Sequence, residues 1–353
     1  MDIDGLIRRA LEGERLAIAR LISVVEGGGP DLGRVMRELY SHTGSAYTIG
    51  ITGAPGAGKS SLTERLVARA RADGHKIGVL AIDPSSPFSG GALLGDRVRM
   101  QSHATDPDVF IRSMATRGHL GGISLATPEA VRVLDASGKD IVFIETVGVG
   151  QAEVEITDAC DSTVVVVNPG WGDAVQAAKA GLMEIADIFV VNKADRPGAE
   201  RVRNDIELVL GIRHGHGTDA PAHHGVDLKA ISNPGKAARE AARRDDAPLW
   251  TPPVVLTVAH KGEGVGDLVS FLDRHHRYLE EGDGLRERRR RRLREQVMDV
   301  AEYRLRRRLW NDSEVLAFID AVLPRIERGE VSPYGIADEL LMKGAPAIAR
   351  TSS

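Results

Sequence analysis

The run Gly53-Ala54-Pro55-Gly56-Ala57-Gly58-Lys59-Ser60 fits the spacing G-x-x-x-x-G-K-[ST]. Glycines let the backbone curl until its N–H groups face phosphate oxygens, and a helix starting there adds positive potential. A lysine after the last glycine reaches the β- and γ-phosphates, and the next hydroxyl ligates Mg²⁺. Lys59 and Ser60 occupy those places, with Ser61 behind them. The chemistry needs a strand before the loop and a helix after it. Both are legible, in Tyr47–Thr52 and in Ser61–Gly74. A chance glycine-rich turn would lack that frame.

A second constellation, Asn192-Lys193-Ala194-Asp195, closes the apolar run Ile188–Asn192. The Asp195 carboxylate can accept two hydrogen bonds from guanine, one from the ring N–H and one from the 2-amino group. Adenine offers neither donor and would leave the carboxylate unpaired. Asn192 and Lys193 pack around the base, and Val258-Ala259-His260 after the last strand supply a further base contact.

The third signal is acidic. Glu145-Thr146-Val147-Gly148 ends the strand Ile141–Thr146, where many phosphate-loop proteins carry Asp-x-x-Gly. The longer Glu145 acts through a metal-bound water. Gly148 senses the γ-phosphate and opens a switch through Val149, Gly150 and Gln151. Asp83 and Asp96 approach the metal from the side of Ser60. Three acids and a hydroxyl exceed a direct Mg²⁺ shell, so some orient water instead. The expected catalytic set is Lys59, Asp83, Asp96, Glu145 and Gln151; the expected metal set is Ser60, Asp83, Asp96 and Glu145. Val149, not glutamine, follows Gly148, so slow intrinsic turnover is expected, with Gln151, Asp83 and Arg97 the candidates to assist.

These residues need a scaffold. Further β-rich runs fall at Ile77–Asp83, Val109–Met114, Thr163–Asn168 and Val254–Ala259, alternating with helical stretches. Several are almost wholly apolar, as in parallel strands covered on both faces. The pattern predicts a doubly wound sheet over 46–282. Residues 1–45 read as helical, broken at Gly27–Pro30, with Asp31 placed to cap a second short helix. Residues 283–353 read as helices again, with Leu293, Val297, Val300, Ala301, Leu305 and Leu309 in one stripe.

Composition narrows the class. A net charge of −4 argues against a general nucleic-acid binder. The arginines 288–292 read as the solvated face of a helix that packs in a dimer. The single cysteine, Cys160, excludes an internal disulfide and a multi-cysteine metal site, and fits a reducing, cytoplasmic setting. The amino terminus lacks the apolar block of a signal peptide, and no apolar run is long enough to span a membrane. His214, His216, His223 and His224 sit in a Gly/Ala/Pro stretch and read as a solvated loop.

The blocks GAPGAGKS, VLAIDPSSPFSGGALLGDRVRM, IRSMATRGHLGG, ETVGVGQAE, GDAVQAAKAG and NKAD together resemble the MeaB/ArgK-type GTPases, the methylmalonyl-CoA mutase-associated proteins. The likeness covers most of the chain, including the ending SPYGIADELL. It implies a P-loop NTPase three-layer α/β/α fold with a mostly parallel sheet and helical extensions at both ends. It also implies hydrolysis of GTP to GDP with Mg²⁺, in a homodimer joined by C-terminal helices. The implied output is chaperoning of an adenosylcobalamin-dependent acyl-CoA mutase: gating cofactor loading and protecting or reactivating the enzyme. By the same likeness Lys59, Ser60, Asp83, Asp96 and Glu145 fall on phosphate and Mg²⁺ positions, Asn192, Lys193 and Asp195 on base positions, and Gly170–Lys179 on a third switch. The histidine-bearing stretch 214–224 departs from the family pattern. Two other classes compete: a metallochaperone GTPase for nickel or cobalt, against which the lone cysteine speaks, and an ArgK-type transport-system kinase.

Overall fold

The computed structural model describes residues 2–83, 100–103, 105–115, 126–146, 156–170, 181–213 and 250–349. Successive side chains of a strand point to opposite faces, so a strand apolar at nearly every position needs cover on both. Ser162–Val167 and Ile188–Asn192 meet that condition, and every residue of each is buried. Val164, Val166, Ile188 and Val190 face one helical layer, while Val165, Val167, Phe189 and Val191 face the other.

Seven strands among the described residues form one parallel sheet: β1 (Tyr47–Gly53), β2 (Ile77–Asp83), β3 (Val109–Ala115), β4 (Ile141–Thr146), β5 (Ser162–Val167), β6 (Ile188–Asn192) and β7 (Val254–Thr257). Their order is β3-β2-β4-β1-β5-β6-β7, and every pairing is parallel. The strand carrying the glycine-rich loop lies centrally, between β4 and β5. This is the expected three-layer α/β/α architecture. The last strand stops earlier than its sequence suggests, because Val258 turns away into an antiparallel bridge with Glu263.

The helices are α1 (Ile3–Leu11), α2 (Arg15–Gly27), α3 (Leu32–Tyr40), α4 (Lys59–Ala72), α5 (Ala126–Ala136), α6 (Leu182–Ile185), α7 (Ala199–Arg213), α8 (Val265–Glu281), α9 (Gly284–Trp310), α10 (Ser313–Glu327) and α11 (Pro333–Ala349). On one face, α4 and α8 pack over Ile49, Ile51, Val79, Phe143 and Val166. On the other, α5 and α1–α3 share a core with Leu80, Ile82, Phe110, Val142 and Ile144, while α6 and α7 cover Val165 and Phe189. The N-terminal extension therefore forms part of a helical layer. Leu21 and Ile22 of α2 are fully buried there, a position where truncation to alanine costs roughly 2–5 kcal/mol. The single long helix read for the first 25 residues is two helices, because Gly13 takes φ +83 and lets the chain turn. Asp31 occupies the cap position of α3, but its side chain makes no capping bond.

The chain divides into two compact units, Met1–Arg288 and Arg289–Ser353. In the second, Leu309, Val315 and Leu340 form a small core with Phe318 and Ile319, and Asp312 caps α10 through Glu314 N and Val315 N at 2.9 and 3.3 Å. The stripe read along α9 is largely uncovered within one chain. Leu309 is buried, whereas Val297 and Leu305 are exposed.

In the first unit a buried polar chain lies at the amino ends of the strands. Ser162 Oγ hydrogen-bonds Tyr47 Oη at 2.5 Å and His275 Nδ1 at 2.6 Å. His275 Nε2 lies 3.3 Å from Asp187 Oδ1. Arg288 clasps Asp187 with two bonds of 2.7 and 2.9 Å and donates a third to Asp161 O at 3.0 Å. Trp250 covers the cluster, donating to Asp187 O at 2.8 Å and resting on the His275 ring. Arg288 is therefore tied into this unit rather than belonging to a solvated face. Burial pushes the Tyr47 phenol well above its ordinary range. Burial would also raise the Asp187 carboxyl, but His275 and Arg288 outweigh it and bring it down from 3.8 to about 2. That shift is worth about 2 kcal/mol of folding free energy. The contribution is complete above the unfolded value near 3.8 and is lost as pH falls through about 2. Asp187→Asn should thus be less stable than wild type in urea unfolding at pH 7, and the gap should close by about 2 kcal/mol between pH 4 and pH 2. A gap that does not narrow in that interval contradicts the assignment.

Candidate functional site

The loop between β1 and α4 begins with a close approach. Ala54 N donates to Val166 O at 3.1 Å, and a Cβ on Gly53 would stand 2.0 Å from that same carbonyl, so only glycine fits. The loop ends at Gly58, whose φ of +92 is left-handed and whose added Cβ would meet Asn192 Nδ2 at 2.4 Å. Both glycines of the motif are therefore fixed by contact as well as by conformation.

Donors from three directions hold the carbonyls of this loop. Lys59 Nζ donates to Gly53 O at 2.8 Å and Ala54 O at 3.0 Å. Lys193 Nζ donates to Gly56 O at 2.6 Å, and Asn192 Nδ2 to Ala57 O at 2.8 Å. A trans peptide points its C=O and N–H in opposite directions. With the Ala57 carbonyl held by Asn192, the Gly58 N–H of the same plane points away from it. The loop thus turns N–H toward the side where an anion would sit, at the start of α4.

Asn192 reaches further. Its Oδ1 accepts from Thr257 Oγ1 and from Ala259 N, each at 3.1 Å. One buried carboxamide thereby joins the phosphate loop, the end of β6 and the turn after β7. Lys193 takes φ +59, unusual for a residue with a Cβ, at the point where the chain leaves β6. Asp195 follows with its side chain exposed. The turn Ala259–Lys261 is one turn of 3₁₀ helix. Arg65 of α4 holds it from the outside, donating to Ala259 O at 3.1 Å and His260 O at 2.7 Å.

Beneath the loop, Ser60 Oγ donates to Glu145 Oε1 at 2.6 Å, and both side chains are buried. Thr146 Oγ1 donates to Thr52 Oγ1 at 3.0 Å, stitching β4 to β1 beside them. The structure therefore brings together Gly53–Ser60, Glu145, Asn192, Lys193 and the turn at Val258–His260. Asp83 ends β2, with its backbone paired to Ala115. Asp96, Arg97, Gly148, Val149, Gly150, Gln151, residues 171–179 and the histidines between 214 and 224, all given roles above, lie outside the described residues, as does the Asp83 side chain. The sequence reading missed Arg65 and Thr257. Thr257 had one cue, standing immediately before Val258-Ala259-His260; Arg65 had none beyond its place on the helix after the loop.

A parallel sheet with a glycine-rich loop at its centre and N-K-x-D two strands away is common to many nucleotide-binding proteins. What decides among them is the length of the match. Residues 18–314 match the model of the family described as "Methylmalonyl Co-A mutase-associated GTPase MeaB". The chain belongs to the MeaB family. A protein described as a GTPase in Pyrococcus abyssi is 44% identical over 339 residues, 96% of each chain. The "GTPase ArgK" of Escherichia coli is 40% identical over 193 residues, 54% of this chain and 58% of that one. Among solved structures, one described as a "LAO/AO transport system kinase" superposes with a TM-score of 0.63 at 23% identity over 96% of each chain, a likeness of fold. As a MeaB-family GTPase, the chain binds guanine nucleotide and is a GTP hydrolase.

Asn192→Ala removes three hydrogen bonds and strands the Ala57 carbonyl, the Ala259 amide and the buried Thr257 hydroxyl, at roughly 1–3 kcal/mol for each orphaned group. The expected outcome is a lower midpoint of thermal unfolding and at least about a tenfold weaker GDP complex by calorimetry. Unaltered affinity would show that the loop holds its shape without this carboxamide.

Proposed function

We propose that GTP binding and hydrolysis at this site drive a chaperone of an adenosylcobalamin-dependent acyl-CoA mutase of the methylmalonyl-CoA type. The protein gates cofactor loading and protects or reactivates the mutase. The observation that carries this reading is the family match along residues 18–314, whose description names mutase association. In this reading Gly53–Ser61 cradle the phosphates, Lys59 exchanges its loop carbonyls for β- and γ-phosphate oxygens, and Asn192, Lys193 and Asp195 hold guanine with Val258–His260. Asp83, Asp96 and Gln151 complete the catalytic set, Gly148 reports the γ-phosphate, and 170–179 form the third switch.

A hard divalent cation takes oxygen donors, one or two carboxylates beside the substrate phosphates. The buried Ser60 hydroxyl and Glu145 carboxylate, already in contact at 2.6 Å, match that donor chemistry. Ser60, Asp83, Asp96 and Glu145 are the residues that would hold Mg²⁺, which when bound neutralises charge on the phosphates. Ser60 and Glu145 keep the oxygens close and turned inward; Lys59 supplies fixed positive charge.

The functional division runs 1–45, 46–282 and 283–353, with the last segment pairing two copies. The exposed Val297, Met298 and Leu305 support that pairing. No helix among the described residues is long and apolar enough to cross a membrane, and we place the protein in the cytoplasm on its cysteine usage.

Two measurements test the reading. Asp195→Asn should weaken GTP binding at least about tenfold and favour xanthosine triphosphate, because the amide can donate to the 2-oxo group; an unchanged preference removes Asp195 from the base site. Affinity capture from the native host, with a non-hydrolysable GTP analogue and with GDP, should recover a corrinoid acyl-CoA mutase with yield that depends on the nucleotide. Recovery of no corrinoid enzyme in either state sinks the chaperone proposal.

A further inference from the structure

We infer that Arg65 is a positioning residue for guanine recognition, acting through the turn after β7. The inference rests on the reading that Val258–His260 face the base. Arg65 lies on the exposed side of α4, six residues beyond Lys59, and its guanidinium takes two successive carbonyls of one turn, Ala259 O at 3.1 Å and His260 O at 2.7 Å. Two nitrogens of a planar fork on two adjacent carbonyls fix orientation as well as distance.

The turn has five further anchors, one of them the bond from Gly262 N to Ala259 O at 3.1 Å, a carbonyl that Arg65 shares. Val258 N donates to Glu263 O at 3.0 Å, Gly262 N to Val258 O at 3.0 Å, Lys261 N to Val258 O at 2.9 Å, and Ala259 N to Asn192 Oδ1 at 3.1 Å. All of these lie within the turn or on its inner side. Arg65 ties the Ala259 and His260 carbonyls to the helix bearing the glycine-rich loop. Planarity then sets the rest: with the Ala259 carbonyl drawn toward α4, the His260 N–H of the same peptide points the opposite way. A backbone N–H aimed in a fixed direction can select a purine carrying an oxygen at position 6, because that oxygen accepts where an amino group would not. Arg65 thereby couples the distance between the phosphate cradle and the base-facing turn to one rigid side chain.

This role separates from that of Asp195. Guanine and hypoxanthine share the 6-oxo group, so loosening the turn weakens both alike, whereas the 2-amino group read by Asp195 is present only in guanine. The experiment measures binding of GDP and IDP by calorimetry in magnesium buffer, and KM and kcat with GTP and ITP, for wild type, Arg65→Ala, Arg65→Met, Arg65→Lys and Asp195→Asn. Arg65 is exposed, so its variants should melt within a few degrees of wild type. The expected result is about a tenfold loss of affinity for GDP and IDP alike in Arg65→Ala and Arg65→Met. KM should rise by the same factor, kcat should stay within about twofold, and Arg65→Lys should recover part of the loss. Undiminished affinity in the Arg65 variants, with Asp195→Asn losing its preference for guanine, overturns the proposal and leaves the base site standing. A fall in kcat at constant KM also overturns it, since Arg65 would then act at the phosphates. If Asp195→Asn also binds both nucleotides as wild type does, the base-site reading fails and takes the proposal with it.

Discussion

The carboxamide of Asn192 stands where three chain segments distant in sequence must meet. Its nitrogen holds the Ala57 carbonyl and its oxygen accepts from Thr257 and Ala259. A curled loop of glycines has little conformational preference of its own, and left alone it would sample many shapes. The loop is instead set from outside by donors on its carbonyl side: Lys59, Lys193 and Asn192. Orientation of the amide donors on the other side follows from peptide planarity. Preorganisation here is thus a property of β6 and β7 as much as of the glycine-rich sequence, and it requires the sheet order that brings β1, β5, β6 and β7 side by side.

The strands were legible because parallel strands buried on two faces leave runs of Val, Ile and Phe that few other structures need. The phosphate loop and N-K-x-D were legible because their chemistry dictates residue type and spacing together. What escaped the sequence was of two kinds. Gly13 was hidden inside a helical pattern whose apolar spacing continues across it, so one helix was read where two exist. Arg65 and Arg288 look like ordinary surface arginines, and only the fold brings them to Ala259 and His260 or to Asp187. Long-range side-chain pairing leaves no periodic trace. Nor did the sequence reveal that the N-terminal helices would complete a layer over β2, β3 and β4, since an apolar stripe states that a face is covered without naming the cover.

The two ends of the sheet use polar groups differently. At the carboxyl ends, side chains hold backbone carbonyls and leave N–H groups for an anion. At the amino ends, Tyr47, Ser162, His275, Asp187 and Arg288 contact one another in a largely buried chain. Ser162, His275 and Asp187 have the residue types of a nucleophilic relay, yet Ser162 and His275 are wholly buried. Their contacts serve cohesion where α8 and the start of α9 join the sheet.

The Lys59 ammonium rests on Gly53 O and Ala54 O, oxygens of its own loop. An arriving triphosphate therefore does not find a naked cation. In the proposed binding mode it would displace a pair of neutral ligands with charged ones, so capture would resemble ligand substitution at a preformed socket. Departure of product would then be the reverse substitution, with the same two carbonyls taking the ammonium back. The loop thus carries its own counter-ligand for the ammonium.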